Sequence, residues 1–296
     1  MQYSHIRLPQ NIGTHFYGWR FVINEFKKQT KLISGAPVFD AWVDSFFDTR
    51  GQSILLKNNK WVGVLHGIAS NVRKNYLDNF FASDIYSQSK DNCLLLLTTS
   101  SHTRDYCLEK VDKPVKTLLF PKPDTGHRFN LDAYLNYPQL RHSGFFGRNI
   151  KKFISFSSSI QKIIYSDNLY RTKQYLNHLS DNQSIIFHSK WLKPHEYIDK
   201  FTSSIGYSFY DDCSASTSIL EHIVTHTPVL VNKIPPIVEY LGEDYPMYLN
   251  DLPDNLDYLL LDKFFLQEVS SYLCERAKKK EFTVDYFIKF LNNLQI

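Results

Sequence analysis

The chain has 296 residues, of which 43% are hydrophobic and 15% aromatic. This is enough apolar material for one large or two modest packed domains, and it excludes an intrinsically disordered chain. The 34 lysines and arginines stand against 30 aspartates and glutamates, a net charge of +4. Such a charge permits a phosphate-bearing ligand and excludes a histone-like binder driven by charge alone.

The cysteine pattern and the hydropathy of the chain bear on its compartment. The four cysteines form no C-x-x-C pair and lie in apolar or loop contexts, which are typical of reduced intracellular thiols and argue against a zinc ribbon or a disulfide scaffold. No apolar run approaches the roughly 20 residues of a membrane helix, and the first residues lack the apolar core of a signal peptide. We therefore expect a cytoplasmic protein without a transmembrane segment.

Helical and strand patterns alternate in the first 121 residues, which is typical of an α/β protein. Residues 14–30 place Phe21, Val22 and Phe26 on one face and end in lysines, so they predict a helix. Short apolar runs bounded by turn residues predict buried parallel strands. These runs are SILL at 53–56, WVGVLHG at 61–67, CLLLLTTS at 93–100 and VKTLLFP at 115–121.

The stretch 121–139 is rich in Pro and Asp and predicts a linker, because Pro limits helix formation and sheet pairing. The alternation restarts after it, with a helix predicted near 168–180 and one or two amphipathic helices over 263–294. The strands predicted in this half are 153–158, 184–189, 204–210 and 228–232. The sequence thus predicts two α/β halves joined by a Pro-rich linker.

Several enzyme classes are set aside because their motifs are absent. The sequence has no P-loop, no G-x-G-x-x-G fingerprint, no G-x-S-x-G elbow and no Asp-x-Asp metal clasp. His222 and His226 stand four apart on a predicted helix, a spacing that can share a metal ion. The metalloprotease motif needs Glu directly after the first His, where this chain has Ile223. We predict polar residues near a helix end and no metal site.

The segment 205–250 carries the most chemical information. Its pattern is strand, polar loop, helix, strand, Pro-rich loop and helix. The loop 211–218 opens the helix with small hydroxyl residues, and free backbone N–H groups with the helix dipole suit a diphosphate there. Glu221, one turn in, is placed to accept hydrogen bonds from a ribose diol. Ordinary N-capping by Ser216 or Thr217, with Glu221 as a solvated surface acid, fits the same pattern.

The run from Asp212 to Asp251 contains ILE, TPVLVN and VEYLGEDYP, and it resembles the C-terminal nucleotide-sugar domain of GT-B glycosyltransferases. Weaker matches lie at 17–24, 39–47, 61–69 and 143–149. The resemblance implies an α/β fold with two Rossmann-like domains that face each other across a cleft. Its implied parts are an N-terminal acceptor-side domain at 1–135, a nucleotide-sugar-binding domain at 136–280 and a C-terminal helix at 281–296 that packs back on the N-terminal domain.

The resemblance also implies how the diphosphate and the ribose are bound. Glu221 would hold the ribose hydroxyls, and Ser216, Thr217 and Ser218 would cradle the diphosphate. Arg148 follows the glycine-rich turn 143–147 and would stabilise the leaving group as charge develops, assisted or replaced by Lys152. A surface charge at the end of a linker is the alternative for Arg148.

Three further positions complete the implied donor site. Trp191 and Leu192 follow a predicted strand where the family packs the nucleobase, although they could equally be core residues. Gly18, near the first helix, would let the donor phosphates come close.

One position departs from the family pattern. Many retaining members carry a second Glu seven residues before the ribose Glu, and here that position is Ser214, with Asp212 slightly upstream. We assign Ser214 to the donor-binding loop and expect Asp212 to orient the donor sugar. Retention or inversion of the anomeric configuration stays open.

On the acceptor side, His66 ends a predicted strand, and its ordinary pKa lies near neutral pH. It is a candidate to take the proton of the acceptor hydroxyl or to bind the sugar, and a histidine that caps the strand end is the alternative. Asp40 and Asp44, four residues apart, are candidates for acceptor contacts or for the base of an inverting mechanism. Paired surface acids are the other interpretation of these two.

The implied activity is transfer of a sugar from a nucleotide-diphosphate sugar, expected to be a UDP-sugar, to a hydroxyl of a saccharide or glycoconjugate, without a metal or other cofactor. A first alternative is a phage-type enzyme that glycosylates hydroxymethylated pyrimidines in double-stranded DNA. Basic clusters that could meet its phosphates lie at 57–60, 73–74, 148–152 and 278–280. A second is a non-catalytic GT-B protein that binds a nucleotide sugar or a glycan. The oligomeric state stays open.

Overall fold

A computed structural model describes residues 1–7, 19–44, 53–68, 76–122, 125–144, 147–165, 185–188, 192–251 and 256–295. The chain divides into two compact units. Unit 1 comprises Met1–Pro123, Asp212–Thr217 and Lys279–Ile296, and unit 2 comprises Asp124–Asp211 and Ser218–Lys278.

Unit 1 is built on a five-stranded parallel sheet with the strand order β1-β2-β3-β4-β5. The strands are β1 (His5–Arg7), β2 (Val38–Asp40), β3 (Trp61–Leu65), β4 (Cys93–Thr98) and β5 (Val115–Thr117). The helices are α1 (Trp19–Gln29), α2 (Ser53–Asn58), α3 (Tyr76–Phe81), α4 (Asp84–Ser89), α5 (Ser101–Leu108) and, from the end of the chain, α13 (Val284–Asn292).

Trp61 anchors the core of unit 1. Its side chain is fully buried with Leu65, Leu96 and other apolar residues, and its indole N–H donates to the carbonyl of Ser89 at 3.0 Å. All five residues of β3 are buried, as expected for a central parallel strand covered on both faces. At the end of the chain, α13 is fastened to this unit by the Tyr3 hydroxyl, which donates to the carbonyl of Leu291 at 3.0 Å.

Unit 2 holds a second five-stranded parallel sheet, with the order β10-β9-β6-β7-β8. Its strands are β6 (Gln139–Ser143), β7 (Gln161–Tyr165), β8 (Ile185–His188), β9 (Ile205–Ser208) and β10 (Val229–Val231). Its helices are α6 (Leu131–Asn136), α7 (Ile150–Ser155), α8 (Pro194–Thr202), α9 (Thr217–Thr225), α10 (Pro235–Leu241), α11 (Asp257–Leu261) and α12 (Lys263–Ala277). Thr217, the first residue of α9, is counted with unit 1.

Most of the elements expected from the sequence are confirmed. Strands occupy the runs predicted at 61–67, 93–100, 115–121, 184–189, 204–210 and 228–232, and helices α12 and α13 occupy 263–294. The first predicted helix is present as α1, while residues 14–18 and the helix predicted near 168–180 lie outside the described residues.

Two strand predictions are wrong. The run 53–56 opens helix α2, and most of 153–158 closes or follows helix α7. A short apolar run has no period that separates a strand from one buried face of a helix. In α7, the Asn149 side chain caps the helix by accepting from the backbone N–H of Lys152 at 3.2 Å. This helix-start signal outweighs the apolar run around Phe153 that predicted a strand.

The linker prediction is wrong in part, because 121–139 contains helix α6 and the first residue of β6. Strand β6 is the centre of the second sheet. Its sequence, QLRHS, does not predict a buried strand because it carries Arg141 and His142, both of which are nevertheless buried. Strands β1, β2 and β7 were also not predicted; each is short or carries polar residues.

Among the described residues, no helix is both long and apolar enough to cross a bilayer.

Helix α9 approaches strand β9 closely at Gly206. A Cβ atom added to Gly206 would overlap Cε1 and Nε2 of the His222 imidazole, so the ring lies directly against the glycine backbone. Both nitrogens of that ring are engaged, Nδ1 with the carbonyl of Thr227 at 2.8 Å and Nε2 with Arg141 at 3.3 Å. Glycine is therefore required at this position of β9.

We expect Gly206→Ala to lower the free energy of unfolding by about 1–3 kcal/mol, because the added methyl overpacks the site. Chemical denaturation measures this change. In a double-mutant cycle, His222→Ala removes the ring and should relieve much of the penalty. Additive effects of the two substitutions would contradict the close approach.

Candidate functional site

The carboxyl ends of parallel strands meet at one edge of a sheet, and ligands of open α/β sheets bind outside that edge. In unit 2 this edge contains the last residues of its strands. The rings of Tyr165 on β7 and His188 on β8 stack there, with centroids 4.9 Å apart and planes inclined by 8°. Leu192 is half-buried just before α8. Trp191 and Gly18 lie outside the described residues.

The turn after β6 holds Arg148 in place. Gly144 has a φ of 72°, in the left-handed region that favours glycine. A Cβ atom on Gly144 would collide with the Arg148 guanidinium, so the arginine packs against the glycine backbone. Arg148 Nε donates to the Tyr210 hydroxyl at 3.2 Å, and Arg148 Cζ lies 5.2 Å from the centroid of that ring. Arg148 is half-buried, so it is not a freely solvated charge at the end of a linker.

Backbone hydrogen bonds tie this turn to the end of β9. The N–H of Asp211 donates to the carbonyl of Gly147 at 2.9 Å, and the N–H of Asn149 donates to Phe209 at 2.7 Å. Lys152 is exposed on α7, with its ammonium 5.5 Å from the centroid of the Phe209 ring. Two cationic side chains thus lie near the carboxyl edge of the same sheet, at residues 148 and 152.

Glu221 is 5% exposed, so the interpretation of a solvated surface acid is wrong. Its Oε2 atom accepts a hydrogen bond from the Tyr197 hydroxyl at 2.8 Å. Burial and the neighbouring Glu221 carboxylate raise the pKa of Tyr197, so this hydroxyl keeps its proton and donates. A buried carboxylate in the second turn of a helix is well suited to accept hydrogen bonds from a polyol.

The loop 212–217 belongs to unit 1. Ser214 is buried, and its Oγ atom hydrogen-bonds the hydroxyls of Thr99 at 2.8 Å and Thr103 at 3.0 Å. The Ser214 hydroxyl therefore anchors the loop beside the start of α5. Ser216 and Ser218 are also buried, whereas Thr217 is half-buried.

Asp212 is 6% exposed and has an incompletely satisfied carboxylate. Its Oδ1 atom accepts from the N–H of Cys213 at 2.7 Å and lies 3.7 Å from Nε2 of His102. No described residue hydrogen-bonds its buried Oδ2 atom. Such an oxygen is costly unless a ligand or water supplies a donor. Sequence reasoning missed His102, although its position just after strand β4 was a signal that could have found it.

His66 lies just past the end of β3. Its Nε2 atom contacts the carbonyl of Ala41 at 2.9 Å, and its ring lies 4.8 Å from that of Trp42. Burial lowers the pKa of His66 to about 4, so the ring is neutral at neutral pH. Because a carbonyl only accepts, Nε2 carries the proton and Nδ1 carries the lone pair.

Asp40 and Asp44 are both fully buried, which excludes the interpretation of paired surface acids. Asp40 forms an ion pair with Arg7, its partner in the register of β1 and β2. Asp44 Oδ2 accepts from the backbone N–H groups of His66 at 3.0 Å and Gly67 at 2.6 Å, and no described residue bonds its Oδ1 atom. Asp44 thereby fixes the backbone after β3.

No group of three or more His, Cys, Asp and Glu side chains in the described ranges could hold a metal ion. His222 is occupied by Arg141 and Thr227, as described above.

Asp44 makes the stability of the protein depend on pH. Burial raises its pKa to about 7 against the backbone donors that favour the carboxylate. The raised pKa stabilises the folded protein below about pH 4, and this contribution disappears as the pH rises through 7. We expect Asp44→Asn to gain stability relative to wild type across this interval, by about 1.4 kcal/mol per unit of pKa shift.

Unfolding free energies measured from pH 4 to 8 test this expectation. Subtracting the wild-type profile from that of the variant removes the titrations that the two proteins share. Parallel profiles for the two proteins would contradict it.

No protein-family model matches the sequence, and a comparison with curated proteins finds no match. The fold is similar to those of solved glycosyltransferase structures. A variant of S. aureus TarM in complex with Fondaparinux, alpha-GlcNAc-glycerol and UDP shares 14% identity at a TM-score of 0.63, covering 92% of this chain and 57% of TarM. The chain thus spans little more than half the length of that protein.

Two further structures have similar scores. Sucrose-phosphate synthase from Thermosynechococcus elongatus shares 11% identity at a TM-score of 0.64, covering 92% of this chain and 76% of the synthase. An α,α-trehalose-phosphate synthase from Burkholderia xenovorans in complex with glucose-6-phosphate shares 11% identity at 0.60, covering 94% of this chain and 78% of its own. With its two five-stranded parallel sheets, the chain has the fold of the GT-B glycosyltransferases.

Proposed function

We propose that this protein is a glycosyltransferase that moves a sugar from a nucleotide-diphosphate sugar, expected to be a UDP-sugar, to a hydroxyl of a saccharide or glycoconjugate. The observation that carries the proposal is the pair formed by buried Glu221 and tethered Arg148 in unit 2 of a GT-B fold. An acceptor for a ribose and a cation for a diphosphate are the two elements that a bound nucleoside diphosphate needs.

The donor is bound by unit 2 in this proposal. Glu221 accepts hydrogen bonds from the ribose hydroxyls, with its carboxylate held by Tyr197. Arg148 pairs with the diphosphate, and Lys152 adds a second positive charge. The backbone N–H groups and dipole in the first turn of α9, around Ser218, favour the same anion.

The reaction breaks the bond between the anomeric carbon and the diphosphate oxygen and forms a bond from that carbon to the acceptor oxygen. The electron pair leaves with the nucleoside diphosphate, and Arg148 stabilises the charge that develops there. The acceptor proton must pass to a base, for which neutral His66 with its lone pair at Nδ1 is our candidate. We assign to Asp212, whose buried Oδ2 atom no described residue hydrogen-bonds, the role of accepting from a sugar hydroxyl. No metal enters these steps.

The compounds named with similar structures support a saccharide acceptor. The TarM structure contains alpha-GlcNAc-glycerol, and the trehalose-phosphate synthase contains glucose-6-phosphate. Glycosylation of hydroxymethylated DNA and binding without turnover are the competing outcomes that experiment separates.

Thermal shift with nucleoside diphosphates tests the donor site. UDP at 100 times its dissociation constant should stabilise wild type by about 2.7 kcal/mol, with and without magnesium. Glu221→Ala should lose this stabilisation, since the ribose contact disappears. Asp199→Ala, which removes an exposed acid of α8 in the same unit, is the matched control and should keep it. No shift with any nucleoside diphosphate would overturn the proposal.

Transfer assays test the acceptor. With a saccharide acceptor, turnover should change little between 50 and 200 mM salt. A DNA acceptor should lose orders of magnitude of affinity over that range. Binding to DNA releases cations from its phosphates, and a higher salt concentration opposes that release. Arg148→Ala should lower kcat by about 100-fold or more by the loss of leaving-group stabilisation. Tight UDP binding without transfer to any acceptor would favour the binding protein.

A further inference from the structure

Arg141 carries a charge that is neither exposed to solvent nor paired in a salt bridge with a described residue. It lies on β6, the central strand of the second sheet, and is 3% exposed. Its guanidinium donates to the hydroxyls of Ser204 at 3.1 Å and Ser143 at 2.5 Å. Its Cζ atom lies 4.0 Å from the centroid of the Phe201 ring. Within the described part of the chain, no carboxylate forms an ion pair with it.

The third hydrogen bond of this guanidinium goes to helix α9. Arg141 Nη2 lies 3.3 Å from Nε2 of His222, the residue after Glu221. Burial and the charge of Arg141 hold the pKa of His222 well below its usual range. The ring is therefore neutral, accepts from Arg141 at Nε2 and donates through Nδ1 to the carbonyl of Thr227. With Gly206 under the ring, these contacts fix α9 against the sheet.

The Arg141 cation also interacts electrostatically with the groups around it. Burial lowers the pKa of Arg141, and Tyr197, Tyr165 and Glu221 oppose that shift. A buried cation without an ion-pair partner is costly unless hydrogen bonds and nearby negative charge compensate it. The Glu221 carboxylate contributes part of this compensation for Arg141.

We propose that Arg141 is a positioning residue of the nucleotide site: through its hydrogen bond to His222, it fixes helix α9 and so places Glu221 for the ribose hydroxyls. This inference rests on the proposed function. It adds to that function three residues that support helix α9: Arg141, His222 and Gly206. Arg141 itself need not touch the nucleotide.

The test compares the affinities of UDP and 2′-deoxy-UDP, measured by calorimetry. Wild type should prefer UDP by about 10-fold or more, because a hydrogen bond to a charged group is lost with the 2′-hydroxyl. Arg141→Met should weaken UDP binding and bring the ratio towards 1, the value expected for Glu221→Gln. Arg141→Lys, which keeps the charge but not the fork of donors, should give an intermediate ratio. Arg128→Met removes an exposed arginine of the same unit and should keep the wild-type ratio.

A merely structural role would weaken both nucleotides equally and leave the ratio unchanged. That result in folded Arg141→Met, or in Arg141→Lys if the first variant does not fold, would overturn the inference while leaving the proposed function intact. Wild type that binds no UDP would overturn the proposed function and the inference together. Circular dichroism and the unfolding midpoint establish which variants are folded.

Discussion

The buried carboxylate of Glu221 is the constraint around which unit 2 is arranged. A carboxylate removed from water must be hydrogen-bonded or compensated by charge. Here the Tyr197 hydroxyl donates to it, and Arg141 on the central strand is a buried cation of the same unit. The Glu221 carboxylate is therefore already held and desolvated, so a polyol that hydrogen-bonds it would require less ordering of the protein.

Arg148 is likewise held in place by the protein. The left-handed backbone of Gly144 leaves room for the guanidinium, and Tyr210 and the bonds from Asn149 and Asp211 secure the loop. In unit 1, by contrast, Asp212 and Asp44 each have one buried carboxylate oxygen that no described residue hydrogen-bonds. Unsatisfied buried acceptors of this kind are expected where a ligand or water completes the bonding.

The sequence predicted the parts of the fold whose signal is local. The runs of β3, β4, β9 and β10 are apolar because parallel strands are covered on both faces, and their prediction is confirmed. Glu221 became a candidate from a local pattern as well, because it follows one turn after a loop of small hydroxyl residues that opens α9. The run at 53–56 failed because four apolar residues carry no usable period.

The rest depended on tertiary partners. Strand β6 looks polar because Arg141 and His142 are buried by residues distant in sequence, Ser204 and Tyr207 among them. The position of His102 after β4 is a local signal, but its approach to Asp212, more than 100 positions away, depends on the tertiary fold.

The most direct test of the proposed donor site is a crystal structure of the protein with UDP. We expect the ribose hydroxyls within hydrogen-bond distance of Glu221 and the diphosphate against Arg148. A nucleotide bound elsewhere, with no ribose hydroxyl within hydrogen-bond distance of Glu221, would contradict it.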